Sequence, residues 1–382
     1  MGAFLLPFLR TQAENHADYR YEDYLEEGGR IHIQTHGLLF EQGLTSWLSL
    51  KGNYIYDGIS GATPDGTPPL PGQDTVRKVD ITDIRRAGFV EPTIKWENHT
   101  ISPQFSVSRE HDYESLGVSL SHSIDLNEKN TTLTWGLSRA FDRVLPAIGE
   151  YTPDGPIKTP QHKDSTDFLV GITQLLGPRT VLSVNLTVGY SQGYLSDPYK
   201  RVVFDGYGDP DDRYLPDFQY TGFPENRPEN KLREVVYFSL QQAFPSIEGA
   251  LETSYRFHHD DWGIIANTIT LQWHQKATKW VTLSPLFRFH TQSQADFYAT
   301  HFPGVPDDPP SDPPAPEHYS ADYRLSELVT YTYGIGVSLH LHEHVTVELA
   351  YKRYEMFGKD HETAADMYPK ANAWTGGLSV WF

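Results

Sequence analysis

The sequence predicts an all-β fold, a transmembrane antiparallel β-barrel of about sixteen strands with short periplasmic turns and long extracellular loops. Three observations predict it. Apolar residues recur at every second position over stretches of ten or more residues. Tight polar turns alternate along the chain with longer connections rich in Pro, Gly and Asp. The 382 residues are 13% aromatic but only 38% hydrophobic, and no run reaches the ~18–20 apolar residues that a membrane helix needs. A chain that crosses lipid without such a helix must close a barrel, because only helices and closed barrels satisfy every backbone group there.

The strands follow in order as 18–25, 30–41, 46–56, 86–96, 101–109, 115–126, 131–141 and 166–176, then 181–192, 232–244, 249–258, 264–275, 280–291, 325–341, 345–356 and 372–382. In 181–192, Leu182, Val184, Leu186, Val188 and Tyr190 oppose Ser183, Asn185, Thr187, Gly189 and Ser191. In 325–341, Tyr331, Tyr333, Ile335, Val337 and Leu339 oppose Thr332, Gly334, Gly336, Ser338 and His340. Such lengths exceed the ~5–6 residues of an ordinary strand and suit a tilted membrane crossing. Short turns near 97–100, 125–130, 176–180, 244–248 and 341–345 face the periplasm. Long connections at 57–84, 142–165, 192–229, 292–322 and 357–371 face outward. An even count places both ends of the barrel on the periplasmic side. Residues 1–17 read as a periplasmic segment and 18–382 as the barrel. The apolar stretch 2–8 is too short for a secretory signal and has no basic start.

The last strand carries Trp374, Leu378, Val380 and Phe382 on one face. An aromatic end to an alternating strand is the expected signal for the outer-membrane assembly machinery. Outer-membrane lipid and lipopolysaccharide are the expected surroundings, with an envelope protein as a further partner. Nucleic acid is excluded as a partner by the net charge of −19. The absence of cysteine excludes disulfides, thiolate metal sites and cysteine nucleophiles.

Several phrases carry a family resemblance: "YDGISGATP" (56–64), "NTTLTWG" (130–136), "GYLSDPYK" (193–200), "DDWGI" (260–264), "QSQADFY" (292–298) and "ADYRLS" (321–326). Together they resemble a family of Gram-negative outer-membrane barrels catalogued as a domain of unknown function. The resemblance implies a barrel in the outer membrane and brings no catalytic residues. Its most specific positions are Asp57, Ser60, Gly61 and Pro64, which open one long loop, and Ser196, Asp197 and Pro198, which open another. The expectation is that they fix loop packing at the rim.

With apolar faces turned to lipid, the opposite faces line a lumen. From 101 to 191 that lining is small and uncharged, as at Ser106, Gly117, Ser119, Thr134 and Asn185. From 232 to 291 it carries Arg233, Glu252, Arg256 and His258, then Gln272, His274, Arg288 and His290. Near the seam, Arg20, Glu22, His32, Gln34 and His36 are assigned to it, with Glu348 and Lys352. One smooth wall and one charged wall suggest a porin-like channel for a small solute.

No cofactor is expected. His340, His342 and His344 alternate near a periplasmic turn but converge poorly for a metal. Asp205, Asp209, Asp211 and Asp212 are oxygen donors that could hold Ca²⁺, without the spacing of an EF-hand. His258 and Asp260 in "HHDD" are the one place for a rim hydrolase, though the aspartates also read as turn residues. The expected role is therefore non-enzymatic, a porin-like channel or an envelope-complex barrel for a small solute. The alternatives are a non-conducting docking barrel that binds a partner protein and an outer-membrane hydrolase.

Overall fold

The computed structural model describes residues 15–70, 72–145, 151–152, 155–156, 160–204, 222–304 and 313–382. Sixteen antiparallel strands close into one barrel. They are β1 (His16–Glu26), β2 (His32–Gly43), β3 (Leu48–Pro64), β4 (Lys78–Trp96), β5 (His99–Arg109), β6 (Tyr113–Leu126), β7 (Thr131–Val144) and β8 (Gln161–Gly177). The second half is β9 (Thr180–Gly193), β10 (Asn230–Phe244), β11 (Gly249–Asp260), β12 (Ile265–Lys276), β13 (Val281–Gln292), β14 (Leu328–His342), β15 (Val345–Gly358) and β16 (Lys370–Trp381). Each strand pairs with its sequence neighbours, and β16 closes on β1 in a register that sets Tyr19 opposite Leu378 and Asp23 opposite Trp374. Closure leaves the barrel wall without an edge strand, while the extended end of the β3–β4 hairpin, 61–64 and 78–85, pairs only with itself. Among the described residues no helix is long and apolar enough to cross a membrane.

Alternation fixes which side chains face lipid. Phe105 (61% exposed), Leu137, Leu186, Ile335 and Leu349 stand on the outer face, each flanked along its strand by inward residues that are small or polar. Cross-strand partners share a face, so the assignment carries around the barrel. On the turn side, Trp96 stacks on His99 at 5.1 Å, His99 on His122 at 5.2 Å, and His122 meets Trp135 edge-on. This is an aromatic girdle at the periplasmic interface. The tight turns need left-handed backbone, supplied by Asn127, Glu128 and Lys129 after β6 and by Glu248 after β10.

Every expected strand is present, with changes at the ends. β3 and β4 run beyond the rim, so the connection expected over 57–84 shrinks to 65–77, and Asp57, Ser60, Gly61 and Pro64 lie within β3 rather than in a loop. β1 begins at His16, inside the segment read as preceding the barrel. The rest of that segment, through residue 14, lies outside the described residues.

Among the described residues the clustered apolar core lies not within the barrel but in three clusters at the outer end: Trp262, Ile264, Ala266, Ala295, Tyr298 and Leu325; Val76, Tyr323, Leu328, Met367 and Tyr368; and Val202, Phe204, Phe302, Tyr319 and Ala321. All three draw on the stretch 319–328, which stitches the outer connections into one folded cap.

Candidate functional site: a cationic lumen wall under a folded cap

The lumen is lined by polar groups that satisfy one another across strands. Thr173 bonds Ser183 at 2.9 Å, Ser165 bonds Ser191 at 2.9 Å, and Gln104 donates to Glu91 at 2.8 Å. Near the seam, Arg20 reaches Glu348 at 3.1 Å and Thr375 donates to Glu22. Asp57 faces inward, accepts from Thr35 at 2.7 Å and pairs with Arg85 at 3.3 Å. A barrel of sixteen strands is wide enough to leave water inside.

The wall from β10 to β13 differs. Nη2 of Arg233 donates to both carboxylate oxygens of Asp167, at 2.7 and 2.8 Å. Gly189 makes room for that pair, since a Cβ there would stand 2.2 Å from the Asp167 carboxylate and 2.6 Å from Arg233 Nε. Arg256 and Arg288 have no acidic partner among the described residues, and each lies within electrostatic range of the other. Arg256 faces Thr268 on β12, Thr268 faces His290 on β13, and Arg288 faces Thr270. The two guanidinium-bearing strands are thus about 10 Å apart, two strand spacings. Arg256 is exposed although it points inward, so this part of the lumen is open to water. His290 bonds Thr268 at 2.9 Å and His274 bonds Ser284 at 3.0 Å, which orients both imidazoles along the wall. Glu252, Gln272 and Lys352 also face inward.

His32, Gln34 and His36 do not line the lumen. They share the outer face of β2 with Leu38 and Phe40, which are 55% and 42% exposed. Three consecutive apolar residues, Leu38 to Phe40, break the period of two, and Ile33 and Leu39 take the inner face. His36 bonds Tyr19 at 2.8 Å and His32 pairs with Asp23 at 3.1 Å, forming a polar patch high on the exterior.

Above the wall, the outer connections meet in a buried ionic network. Asp322, 1% exposed, accepts from Arg227 at 2.8 Å and from Arg324 Nε at 2.8 and 2.9 Å. Arg227 also reaches Glu225 at 2.6 Å, and Glu225 accepts from the Ser320 hydroxyl and the Asp197 amide. Lys200, 2% exposed, donates to the Pro64 carbonyl and lies over the Tyr323 ring. Asp65 is capped by Thr67 through its amide at 2.9 Å and its hydroxyl at 2.6 Å. Burial pushes the carboxyls of Glu225 and Asp65 up and the Lys200 ammonium down. Burial acts the same way on Asp322, but Arg324, Lys200 and Arg227 outweigh it and hold that carboxyl far below the usual range.

These bonds cross the barrel mouth. The segment 194–204 leaves β9, yet the Arg201 amide donates to the Asp65 carbonyl beyond β3 at 2.6 Å, and the Tyr199 hydroxyl reaches Asp112 beyond β5. Arg30 of the β1–β2 turn donates to the Asp366 carbonyl at 2.9 Å, and Tyr298 reaches Thr363. Gly66 has φ +102° and passes so close to this segment that a Cβ would lie 2.7 Å from the Arg201 carbonyl oxygen. Asp197 and Arg324 both lie in phrases that the sequence offers, but their pairing spans 127 residues and follows no local pattern.

The pairing of His258 with Asp260 exists at 3.0 Å, but the same carboxylate also takes Lys231 at 2.8 Å and the amides of Trp262 and Ile264. It anchors the β11–β12 turn. Among the described residues two donor groups could approach a metal: the exposed set His342, Glu343 and His344, and Asp83 with Glu110 and Asp112. In the second set Asp112 is used by Tyr199, and Asp83 by the His111 amide at 3.1 Å. The aspartates at 205, 209, 211 and 212 lie outside the described residues.

Known structures share the architecture. The barrel is similar to CdiB from Acinetobacter baumannii, with 7% identity and a TM-score of 0.53, over 96% of this chain and 60% of that one. It is also similar to OccK2 (OpdF) from Pseudomonas aeruginosa, solved with glucuronate, with 8% identity and a TM-score of 0.44, over 97% and 98% of the two chains. The siderophore receptor PirA from Acinetobacter baumannii shares 12% identity at a TM-score of 0.43, and the chain spans only 54% of that receptor. At such identities the likeness concerns fold. No curated protein matches the chain. The family model described as protein of unknown function (DUF3570) matches residues 5–379. With a closed barrel, an apolar outer band and an aromatic girdle in place, the chain is an outer-membrane β-barrel and belongs to this family.

Proposed function

We propose that the protein is a capped channel for small anionic solutes. The observation that carries this reading is the pair Arg256 and Arg288, which have no acidic partner among the described residues on a water-accessible lumen wall. Two cations without counter-charges attract an anion, and low-dielectric walls focus their field. Glu252 stands four residues from Arg256 on the same inner face, so the wall is cationic locally rather than throughout. His258, His290 and Thr268 add hydrogen-bond donors and acceptors around the same patch. The cap across the mouth makes passage depend on loop rearrangement.

The cap also favours a second reading, a barrel that docks a partner protein on its folded outer surface and conducts nothing. Planar-bilayer recording separates the two. The channel reading expects discrete steps with a reversal potential displaced toward anions, and a smaller displacement in Arg256→Ala/Arg288→Ala. Absence of any step, in wild type and in cap-weakened variants alike, would leave the docking reading.

A further inference from the structure

A strip of arginines lies on the outer face of β4 to β7, at the extracellular ends of these strands. Arg86 on β4 stands directly opposite Arg109 on β5, and the side chain of Arg109 is 73% exposed. Like charges placed opposite each other on a sheet face repel. Arg109 faces Glu114 on β6, and Glu114 faces Arg143 on β7, so one carboxylate serves two guanidinium groups, at 3.9 and 3.0 Å. Arg139 sits four residues below Arg143 on the same face and reaches Asp164 at 3.0 Å. Arg86 has no acidic partner among the described residues and lies over the Tyr56 ring. Four guanidinium groups therefore meet two carboxylates. Asp80 faces the same way but stands three outward positions further up the extended hairpin. This local excess of positive charge occurs in a chain of net charge −19.

Directly below Arg109, Glu114 and Arg143 the surface turns apolar. Val107, Leu116 and Phe141 are 47%, 55% and 42% exposed and sit one outward position nearer the membrane than Arg109, Glu114 and Arg143. Elsewhere on the rim an outward arginine is neutralised: Arg353 on β15 is held by both Glu27 and Glu355.

We infer that this strip binds the phosphorylated headgroup of lipid A in the outer leaflet. Phosphate oxygens would bridge Arg86 and Arg109, whose mutual repulsion they relieve, and would draw on the share of Arg143 that Glu114 leaves unmet. The acyl chains would lie on the apolar surface beneath. This inference concerns the outer face and is independent of what the lumen conducts.

The test uses the full chain in detergent micelles, titrated with lipid A bearing both phosphates and read by native mass spectrometry. Wild type should bind this lipid at least about tenfold more tightly than its dephosphorylated form, and Arg86→Gln/Arg109→Gln should lose a similar factor, as expected for charge-assisted contacts. Arg353→Gln should bind as wild type does. High salt should weaken wild-type binding, a measurement that serves even where the double variant fails to fold. Equal binding of the dephosphorylated lipid or of phosphatidylglycerol, equal loss in Arg353→Gln, or indifference to salt would each overturn the assignment.

Discussion

Asp322 is the carboxylate on which the cap's charge balance turns. It is buried, and it meets both Arg227 and Arg324. Breaking a buried ion pair from one side typically costs ~3–5 kcal/mol, since the remaining charge is left uncompensated. Here Arg227 keeps Glu225, and Arg324 keeps Asp197, so Asp322→Ala should fall at the low end, about 3 kcal/mol. Limited proteolysis of the folded barrel checks this: the outer connections should be cut faster while the barrel keeps its heat-modifiable migration. The same network gives a pH dependence whose sign follows from the direction of each shift. Asp322 is held low, so its contribution is complete above the ordinary Asp value of ~3.9 and is lost as the pH falls below it. Glu225 and Asp65 are pushed up by burial, so they favour the cap when protonated and cost stability as the pH rises past ~4 toward neutrality. Cap resistance to proteolysis should therefore peak near pH ~4 and fall on both sides. Glu225→Gln should flatten the neutral side and leave the acid side in place.

At the scale of the strand, parity decides what a substitution does. Leu120 faces lipid on β6 between Pro103 and Leu137, and its neighbour Ser119 faces the lumen. An arginine at a lipid-facing midplane site costs ~2–4 kcal/mol. Leu120→Arg should cost about that much in urea unfolding from lipid vesicles, and Ser119→Arg should be nearly neutral because it enters water. Parity is also what made the strands legible in sequence. Where alternation is unbroken, as in β9 or β14, the facing of each residue could be read directly. Where it breaks, facing is ambiguous: Leu38, Leu39 and Phe40 leave either face of β2 available, and His32, Gln34 and His36 lie on the outer face rather than the expected inner one. The extension of β3 to Pro64 was hidden for a related reason, since Gly58, Gly61 and Pro64 read as turn residues although they continue a ladder with β4. For the cap, the sequence offers the phrases that hold Pro64, Asp197 and Asp322 but not how they pair. The cap's contacts join Lys200 to Pro64 and Arg227 to Asp322, and no local period encodes a pairing between separate connections.

At the scale of the whole molecule, the barrel and the cap are two different solutions to burial. The barrel exposes its apolar residues to lipid and keeps a wet interior, so it has almost no core of its own. The cap has the only clustered cores among the described residues, and they lie across the mouth. If the cap closes the channel, its stability sets how often the pore opens. A loss of about 3 kcal/mol in Asp322→Ala then corresponds to roughly a hundredfold more frequent opening, at ~1.4 kcal/mol per factor of ten. Arg256→Ala/Arg288→Ala should do the reverse, changing the reversal potential while leaving opening frequency alone, because both residues lie on the wall below the cap. Single-channel recording of the three proteins resolves these effects separately. Equal opening frequency in wild type and Asp322→Ala, with proteolysis showing the cap weakened, would mean that solutes pass beside the cap. Altered opening frequency in the lumen variant would mean that cap and wall are coupled, and that an anion on Arg256 and Arg288 helps to hold the mouth shut.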